Sequence, residues 1–379
     1  MQITSPLFDE REITLLRQCL QSGWVTQGPM TEMLECELAR RHSVKHALAT
    51  TSCTAALHLA TLALGLGPGD EVIVPALTWI TSANCAEYVG AHAVFADIDS
   101  DTYNLNPTAF EAAITERTRA VVVVHLFGLA ADMEEILSIA AKHQLKVIED
   151  AACAVGTHYR GRPVGGFGDI GCFSFHPRKV ITTGEGGMVT TNDDALAARV
   201  QSFRNHGSTG VPSDTPADER KPWSMAAFDF LGFNLRLSDI QAAVGLAQME
   251  KLDALLAERR QAADRYNRLL TNFSEFALPD AGEASGHTYQ SYVLRVLEGG
   301  RERRNVIMDH LGSKNIQSRP GTHAVHNLGY YRNKYNLSRD DFPVASNAED
   351  TTITLPIFPG ITEADQDLVV KTVLNALSD

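Results

Sequence analysis

Two kinds of hydrophobic pattern alternate along this chain. Glu71–Val74, closed by Pro75, then Val94–Asp97, Ala120–His125 and Lys146–Asp150 are short apolar runs bounded by turn residues, the mark of strands. Ala120–His125, dominated by valine, reads as a strand buried on both faces of a parallel sheet. Between these runs, Ala55–Leu64 and residues 132–143 carry apolar positions at helical spacing, and Leu77-Thr78-Trp79 is expected to open a further helix. Strand alternating with helix predicts an α/β layer on a largely parallel sheet. Ahead of it, residues 9–21 and 30–42 read as helices on either side of the loop Trp24-Val25-Thr26-Gln27-Gly28-Pro29.

The pattern changes in the second half. Gly171–Phe175 reads as the end of a strand, Thr182–Gly187 as a tight glycine-rich turn, Met188–Thr191 as the next strand and 194–204 as a helix. His206–Met225 is a long polar segment with Pro212, Pro216 and Pro222, and its length predicts a lid or substrate loop, with simple disorder as the alternative. Gly232–Asp239 then leads into a long helical region whose apolar positions Ile240, Val244, Ala247, Leu252, Leu255 and Leu256 recur at helical spacing. The domain boundary is placed there. Residues 1–245 form a large α/β domain. Residues 246–379 form a smaller α+β domain with a strand at Tyr289–Val296, a helix at 302–312 and a final helix over 363–377 opened by Thr362.

Composition narrows the partners. The 379 residues suffice for two domains, each with its own interior. A formal net charge of −13 argues against a nucleic-acid or anionic-membrane surface, yet leaves room for a local phosphate pocket. No apolar run reaches membrane-spanning length, and the first residues lack the pattern of a signal peptide. The six cysteines contain no C-x-x-C pair, as expected of reduced thiols in a cytoplasmic protein.

Chemistry enters with Ser174-Phe175-His176-Pro177-Arg178-Lys179. A lysine on a turn between two strands, with a hydroxyl five residues before it, suits a Schiff-base site. The amine forms an imine with an aldehyde, and Ser174 donates to a phosphate. Alone, Lys179 reads better as a surface lysine. Asp150 falls at the carboxyl end of a strand, where open α/β sheets place their ligands, though it also reads as a helix N-cap. The strand His46–Thr50 meets a hydroxyl-rich turn, Thr51-Ser52-Cys53-Thr54, and then a helix; that layout binds phosphate or simply caps the helix. Trp79 is an aromatic lid or a core residue. Taken together, these four answer the needs of pyridoxal 5'-phosphate. Lys179 forms the imine, Asp150 holds the ring nitrogen protonated, Thr54 and Ser174 bind phosphate, and Trp79 covers one ring face.

The same residues carry a resemblance. Ser174–Lys179 with Thr182–Gly187, Glu149-Asp150-Ala151-Ala152, Ser22–Pro29, and Gly232-Phe233-Asn234-Leu235-Arg236-Leu237-Ser238-Asp239-Ile240-Gln241-Ala242-Ala243 resemble the DegT–DnrJ–StrS family of sugar aminotransferases. The similarity runs over nearly the whole chain. It implies the pyridoxal phosphate-dependent transferase fold type I of the aspartate aminotransferase superfamily: a large domain with a mostly parallel mixed sheet flanked by helices, plus a smaller C-terminal α+β domain. It implies a homodimer with shared active sites, moving an amino group, usually from glutamate, to a keto sugar, usually nucleotide-linked. It implies that Lys179 is imine lysine and proton shuttle, and Asp150 the ring-nitrogen partner. Trp79 stacks on the ring and Ala152 packs on the opposite face. Cys53, through its backbone, Thr54 and Ser174 bind the phosphate, and Asn234 reaches the phosphate of the neighbouring subunit's cofactor.

One position departs from the family pattern. Three residues after Asp150 the family often has Gln or His near the ring hydroxyl; here it is Cys153, a weak donor. Members that dehydrate carry a histidine in place of the lysine, so Lys179 favours transamination. Substrate-side candidates are Trp24, Thr26 and Gln27, with His323 and His326 from Arg319-Pro320-Gly321-Thr322-His323-Ala324-Val325-His326. The H-x-x-H spacing lacks a third ligand cluster, so no metal is expected, and a plain structural loop stays open. A cyclitol ketone as acceptor, and a cofactor-binding regulator without turnover, stand as alternatives; intact Lys179 and Asp150 argue against the regulator.

Overall fold

A computed structural model describes residues 1–210, 225–279 and 286–377. Of the expected lid, residues 211–224 lie outside the described residues; Ser208–Gly210, near its start, pairs with Ala227–Phe228, just past its end.

Seven strands form the main sheet, in the order His46–Thr50, Gly187–Thr191, Ile170–Ser174, Lys146–Asp150, Thr118–Val124, Glu71–Pro75, His92–Ala96. Gly187–Thr191 runs antiparallel to both neighbours, and every other pairing is parallel. The valine strand shows why the sheet is buried on both faces. Its alternate residues enter different cores: Ala120, Val122 and Val124 share one with Leu57 and Ala60 of the helix Cys53–Ala63, while Val121 and Val123 share another with Met133 and Ile136 of the helix Met133–Lys142. A third core joins the strand ends Ala47, Ala49, Phe173 and Met188 to the helices Glu10–Ser22, Pro29–His42 and Asp239–Glu250.

Toward the C-terminus, Phe276–Ala277, Tyr292–Val296 and Thr352–Leu355 make a small antiparallel sheet. The helices Leu252–Leu270, Gly300–Ser313 and Glu363–Asn375 cover it, around Tyr266, Tyr292, Ile307, Leu355 and Val369. Helix Leu252–Leu270 bridges the two regions. Leu252, Leu255 and Leu256 belong to the core of the large sheet, and Ala262, Tyr266 and Leu270 to the small one. Among the described residues no helix is long and apolar enough to cross a membrane.

Three sequence expectations are corrected. Leu77–Thr78 is a strand, paired with His323–Ala324, and the helix starts only at Thr81. Pairing with a segment some 245 residues away (|i−j| = 244 for the Thr322–Thr78 hydrogen bond) overrides local propensity. The stripe Ile240–Leu256 is two helices that meet at Lys251, and Ile240 is exposed. The buried face of the first is Ala242, Ala243, Leu246, Ala247 and Met249, small enough for close helix approach: a Cβ on Gly245 would lie 2.9 Å from Leu34 Cδ2. The strand expected from Tyr289 begins at Tyr292; Tyr289 sits at a φ of 47°, outside extended geometry.

Candidate active site

The parallel strands deliver their carboxyl ends to one edge. Asp150 ends Lys146–Asp150 and Ser174 ends Ile170–Ser174, one strand over. The neighbouring edge supplies the turn from His46–Thr50 into helix Cys53–Ala63. Between them lies a cavity of about 400 Å³, lined among others by Cys53, Thr54, Trp79, Asp150, Ala152, Cys153, Ser174 and Lys179. These are the expected cofactor residues apart from Asn234.

Backbone turns set the positions. Ser52 Oγ accepts from Ala55 N and Ser52 O from Ala56 N, which leaves the amides of Cys53 and Thr54 without partners inside the helix. Gly187 permits this arrangement: a Cβ there would come within 2.5 Å of Ser52 C and 2.6 Å of Cys53 N. The lysine turn is closed by Lys179 N donating to His176 O at 2.8 Å and Thr182 Oγ1 donating to Phe175 O at 2.8 Å. Lys179 Nζ then reaches Cys153 Sγ at 3.2 Å.

Asp150 is 4% exposed. Its Oδ2 accepts from Ser82 Oγ at 2.6 Å and its Oδ1 from Ala152 N at 3.1 Å. Ser82 is itself buried and shares a hydrogen bond of 2.9 Å with Thr78. Among the described residues Asp150 has no cation beside it, only neutral donors. Burial pushes the thiols of Cys53, Cys85 and Cys172 up, with Asp150 pushing the same way, so they serve as small apolar groups.

The preceding residue, Glu149, is fully buried. Its Oε1 accepts from Phe167 N and Gly168 N and its Oε2 from Gly165 N, each at 2.7 Å, and His125 Nε2 lies 3.0 Å from Oε2. Burial alone would raise its pKa, but these bonds, the one from His125 foremost, hold it below the ordinary carboxylate value.

The donor set fits pyridoxal phosphate. A buried carboxylate without a cation faces the cavity, free helix-start amides and the Ser174 hydroxyl suit a phosphate, and a lysine stands beside them. The sequence profile of the DegT/DnrJ/EryC1/StrS aminotransferase family matches residues 6–374. The chain belongs to this family. The chain is 40% identical to GDP-perosamine synthase of Caulobacter vibrioides, over 98% of this chain and 97% of that one. It is 38% identical to the spore coat polysaccharide biosynthesis protein SpsC of Bacillus subtilis, over 97% and 95% of the two chains. Spr1654 from Streptococcus pneumoniae, solved in its PMP-form, superposes with a TM-score of 0.93 at 28% identity, over 100% of this chain and 99% of that one. The same protein has been solved in a PLP-form. As a family member, the chain is a pyridoxal phosphate-dependent aminotransferase of fold type I.

Other expected site residues lie away from this cavity. Trp24 is exposed and donates from Nε1 to Gln27 O at 2.9 Å, closing its own loop. That loop is fastened by Asp239. The Asp239 carboxylate, 1% exposed, accepts from Gly28 N at 2.8 Å, from Met30 N and Thr31 N at 3.0 Å, and from Thr31 Oγ1 at 2.6 Å. Its own amide donates to Thr26 O at 3.1 Å. Asn234 is exposed and bridges to Asn205. His323 is exposed, with its ring centroid 5.7 Å from that of Trp79.

His326 is corrected as a substrate residue. It is fully buried, 3.1 Å from Ser346 Oγ and packed on Phe342, because the short helical turn Val325–Asn327 points it inward. Gln290, Arg178 and Arg319 also line the cavity and were not anticipated; Ser82 behind Asp150 was missed as well. Arg178 is adjacent to the lysine, but nothing in local sequence marks Ser82 or Gln290.

Proposed function

We propose that this chain transfers an amino group from glutamate to a nucleotide-linked keto sugar, as a cytoplasmic homodimer with composite active sites. The observation that carries the reading is the placement of Lys179 and Asp150 on one cavity with a phosphate-type helix start. Relatives named GDP-perosamine synthase, at 40% and 36% identity, support a nucleotide sugar as acceptor.

Bound in this cavity, pyridoxal phosphate supplies an electron sink and carries the amino group between donor and acceptor. The protein's part follows from its residues. Cys53 and Thr54 amides, the Thr54 side chain and Ser174 hold the phosphate, and helix-start amides favour its charge. Asp150 keeps a proton on the ring nitrogen, and Ser82 orients Asp150. Trp79 and Ala152 bound the ring faces. Lys179 Nζ would hold the cofactor and, when free, would serve as the base that takes a proton from the donor carbon and as the acid that supplies one to the acceptor carbon. Cys153 Sγ lies 3.2 Å from this amine. Trp24, Thr26, Gln27 and Asn234 are exposed or at the surface of this chain, where a second copy would bring them to the neighbour's cavity. His323, beside Trp79, is assigned to the acceptor side.

The test is turnover of the purified holoenzyme with L-glutamate and a panel of GDP- and UDP-linked keto sugars, with inososes in parallel, following 2-oxoglutarate. Turnover with a nucleotide keto sugar is expected. Turnover with inososes alone, or with no acceptor, would refute the proposal.

A further inference from the structure

Two nucleophiles of the cavity touch each other. Lys179 Nζ donates to Cys153 Sγ at 3.2 Å, and among the described residues neither atom has another hydrogen-bond partner or an ion pair. Short turns fix both ends of the contact. Cys153 lies in the turn that Ala154 N closes on Ala151 O at 2.9 Å, and Lys179 in the turn that its own amide closes on His176 O. Both side chains are half-buried and line the cavity of about 400 Å³, so a small solute can reach them. Arg319 lines the same cavity, close enough to Cys153 to feel its charge. A part-exposed thiol among cations is the kind that oxidants attack first.

The other cysteines are placed differently. Cys19, Cys53, Cys85 and Cys172 are buried, and burial pushes their thiols up. Cys36 is exposed on the helix Pro29–His42 and does not line the cavity. Cys53 does line it and is the competing partner for an oxidised Cys153. Its thiol stays protonated, which makes it slow to form a disulfide. The amine of Lys179 is already in contact.

We propose that Cys153 and Lys179 form an oxidant-sensitive pair, which a peroxide closes into a covalent sulfur–nitrogen bond. Cys153 passes its proton to Nζ and attacks one peroxide oxygen. The O–O bond breaks, and the leaving hydroxide takes that proton from Nζ and departs as water. The free amine then attacks the sulfur of the sulfenic acid. The S–OH bond breaks, an S–N bond forms and a second water leaves. Sulfur is oxidised by two electrons, and the peroxide is reduced to the two waters. A dithiol reverses the bond, restoring thiol and amine while itself closing to a disulfide. The bond needs the amine of Lys179 free. Its consequence for the site rests on the aminotransferase reading: a lysine occupied by the cofactor is shielded, and in an emptied site the bond blocks cofactor uptake until a reductant opens it.

The full-length protein without cofactor is treated with hydrogen peroxide and followed by intact mass and peptide mapping. The chain should lose the mass of two hydrogens, a peptide pair joined through Cys153 and Lys179 should appear, and uptake of pyridoxal phosphate should be lost. Dithiothreitol should reverse all of these. Cys153→Ser should form no such pair, and its own cofactor uptake should be the same with and without peroxide. A peptide pair joined through Cys53 would make the bond a disulfide. Cys153 found as sulfinic or sulfonic acid, with Lys179 unlinked, would make it plain oxidation. Either result overturns the proposal, as does Cys153 left reduced while Cys36 is oxidised. The holoenzyme, treated alike, should link more slowly. A holoenzyme that links as fast as the cofactor-free protein would instead remove Lys179 as the cofactor's anchor, and sink the functional reading while the bond itself stands.

Discussion

Glu149→Gln should cost more stability than its one-atom change suggests. Ala131 N donates to His125 Nδ1 at 3.2 Å, so that nitrogen carries no proton and Nε2–H donates to Glu149 Oε2. Oε2 also accepts from Gly165 N, and Oε1 from Phe167 N and Gly168 N. A glutamine can place its carbonyl oxygen at Oε1. Its NH₂ then faces two donors, Gly165 N–H and His125 Nε2–H. Moving the imidazole proton to Nδ1 relieves one conflict and creates another with Ala131 N–H. Each buried donor left unpaired costs about 1–3 kcal/mol. Breaking a buried charged cluster on one side costs roughly 3–5 kcal/mol, a large share of a typical ~5–15 kcal/mol. Urea unfolding of the cofactor-free protein at neutral pH, followed by far-UV circular dichroism, measures it. The midpoint should fall with little change in slope. The sign with pH is fixed as well. The folded-state pKa of Glu149 is lowered from 4.5, so its contribution is full above that value and is lost as pH falls through the lower folded-state pKa. The gap between wild type and variant should therefore narrow in acid. A loss below about 1 kcal/mol, or a gap that does not narrow, would refute the reasoning.

Further outcomes follow from the site. Lys179→Ala should retain cofactor in part and lose transamination; substantial steady-state turnover by the purified variant contradicts its role. Asp150→Asn, folded and loaded, should slow the half-reaction with glutamate in single-turnover kinetics, since an amide cannot hold the ring-nitrogen charge; an unchanged rate makes Asp150 structural. Gly187→Ala should weaken cofactor binding in equilibrium dialysis, because its Cβ would press on Ser52 C and Cys53 N at 2.5 and 2.6 Å; unaltered affinity would show that the turn yields. Lys179→Ala and Asn234→Asp, each inactive, should regain activity when co-refolded if Asn234 serves the partner's site. Mixed dimers that stay inactive would place Asn234 in cis.

The main sheet was legible because its strands carry unbroken apolar runs, as in Ala120–His125, and its helices begin at side-chain caps such as Ser52 and Asp132. The lining of the cavity was legible because its lysine, aspartate and hydroxyl turn lie in short local motifs. What escaped depends on distant partners. Leu77–Thr78 is a strand only because His323–Ala324 comes to lie beside it. Ser82 looks like any serine in a helix until the fold brings it 2.6 Å from Asp150. The histidine pair misled for the same reason: spacing gives no hint that Ser346 and Phe342 will enclose His326.

The Asp239 carboxylate joins two segments more than 200 positions apart in sequence (|i−j| = 211 for its bond from Gly28), and this ties their lengths together. Gly28, Met30 and Thr31 are clamped by the side chain while Thr26 is clamped by the amide of the same residue. An insertion or deletion between Thr26 and Thr31 would slide one set of bonds past the other and leave buried donors unmatched. Loop length here is therefore a fixed quantity, unlike that of most surface loops. Diversification of this rim, by natural drift or in the laboratory, is confined to exchanging side chains such as Trp24 and Gln27 at constant spacing.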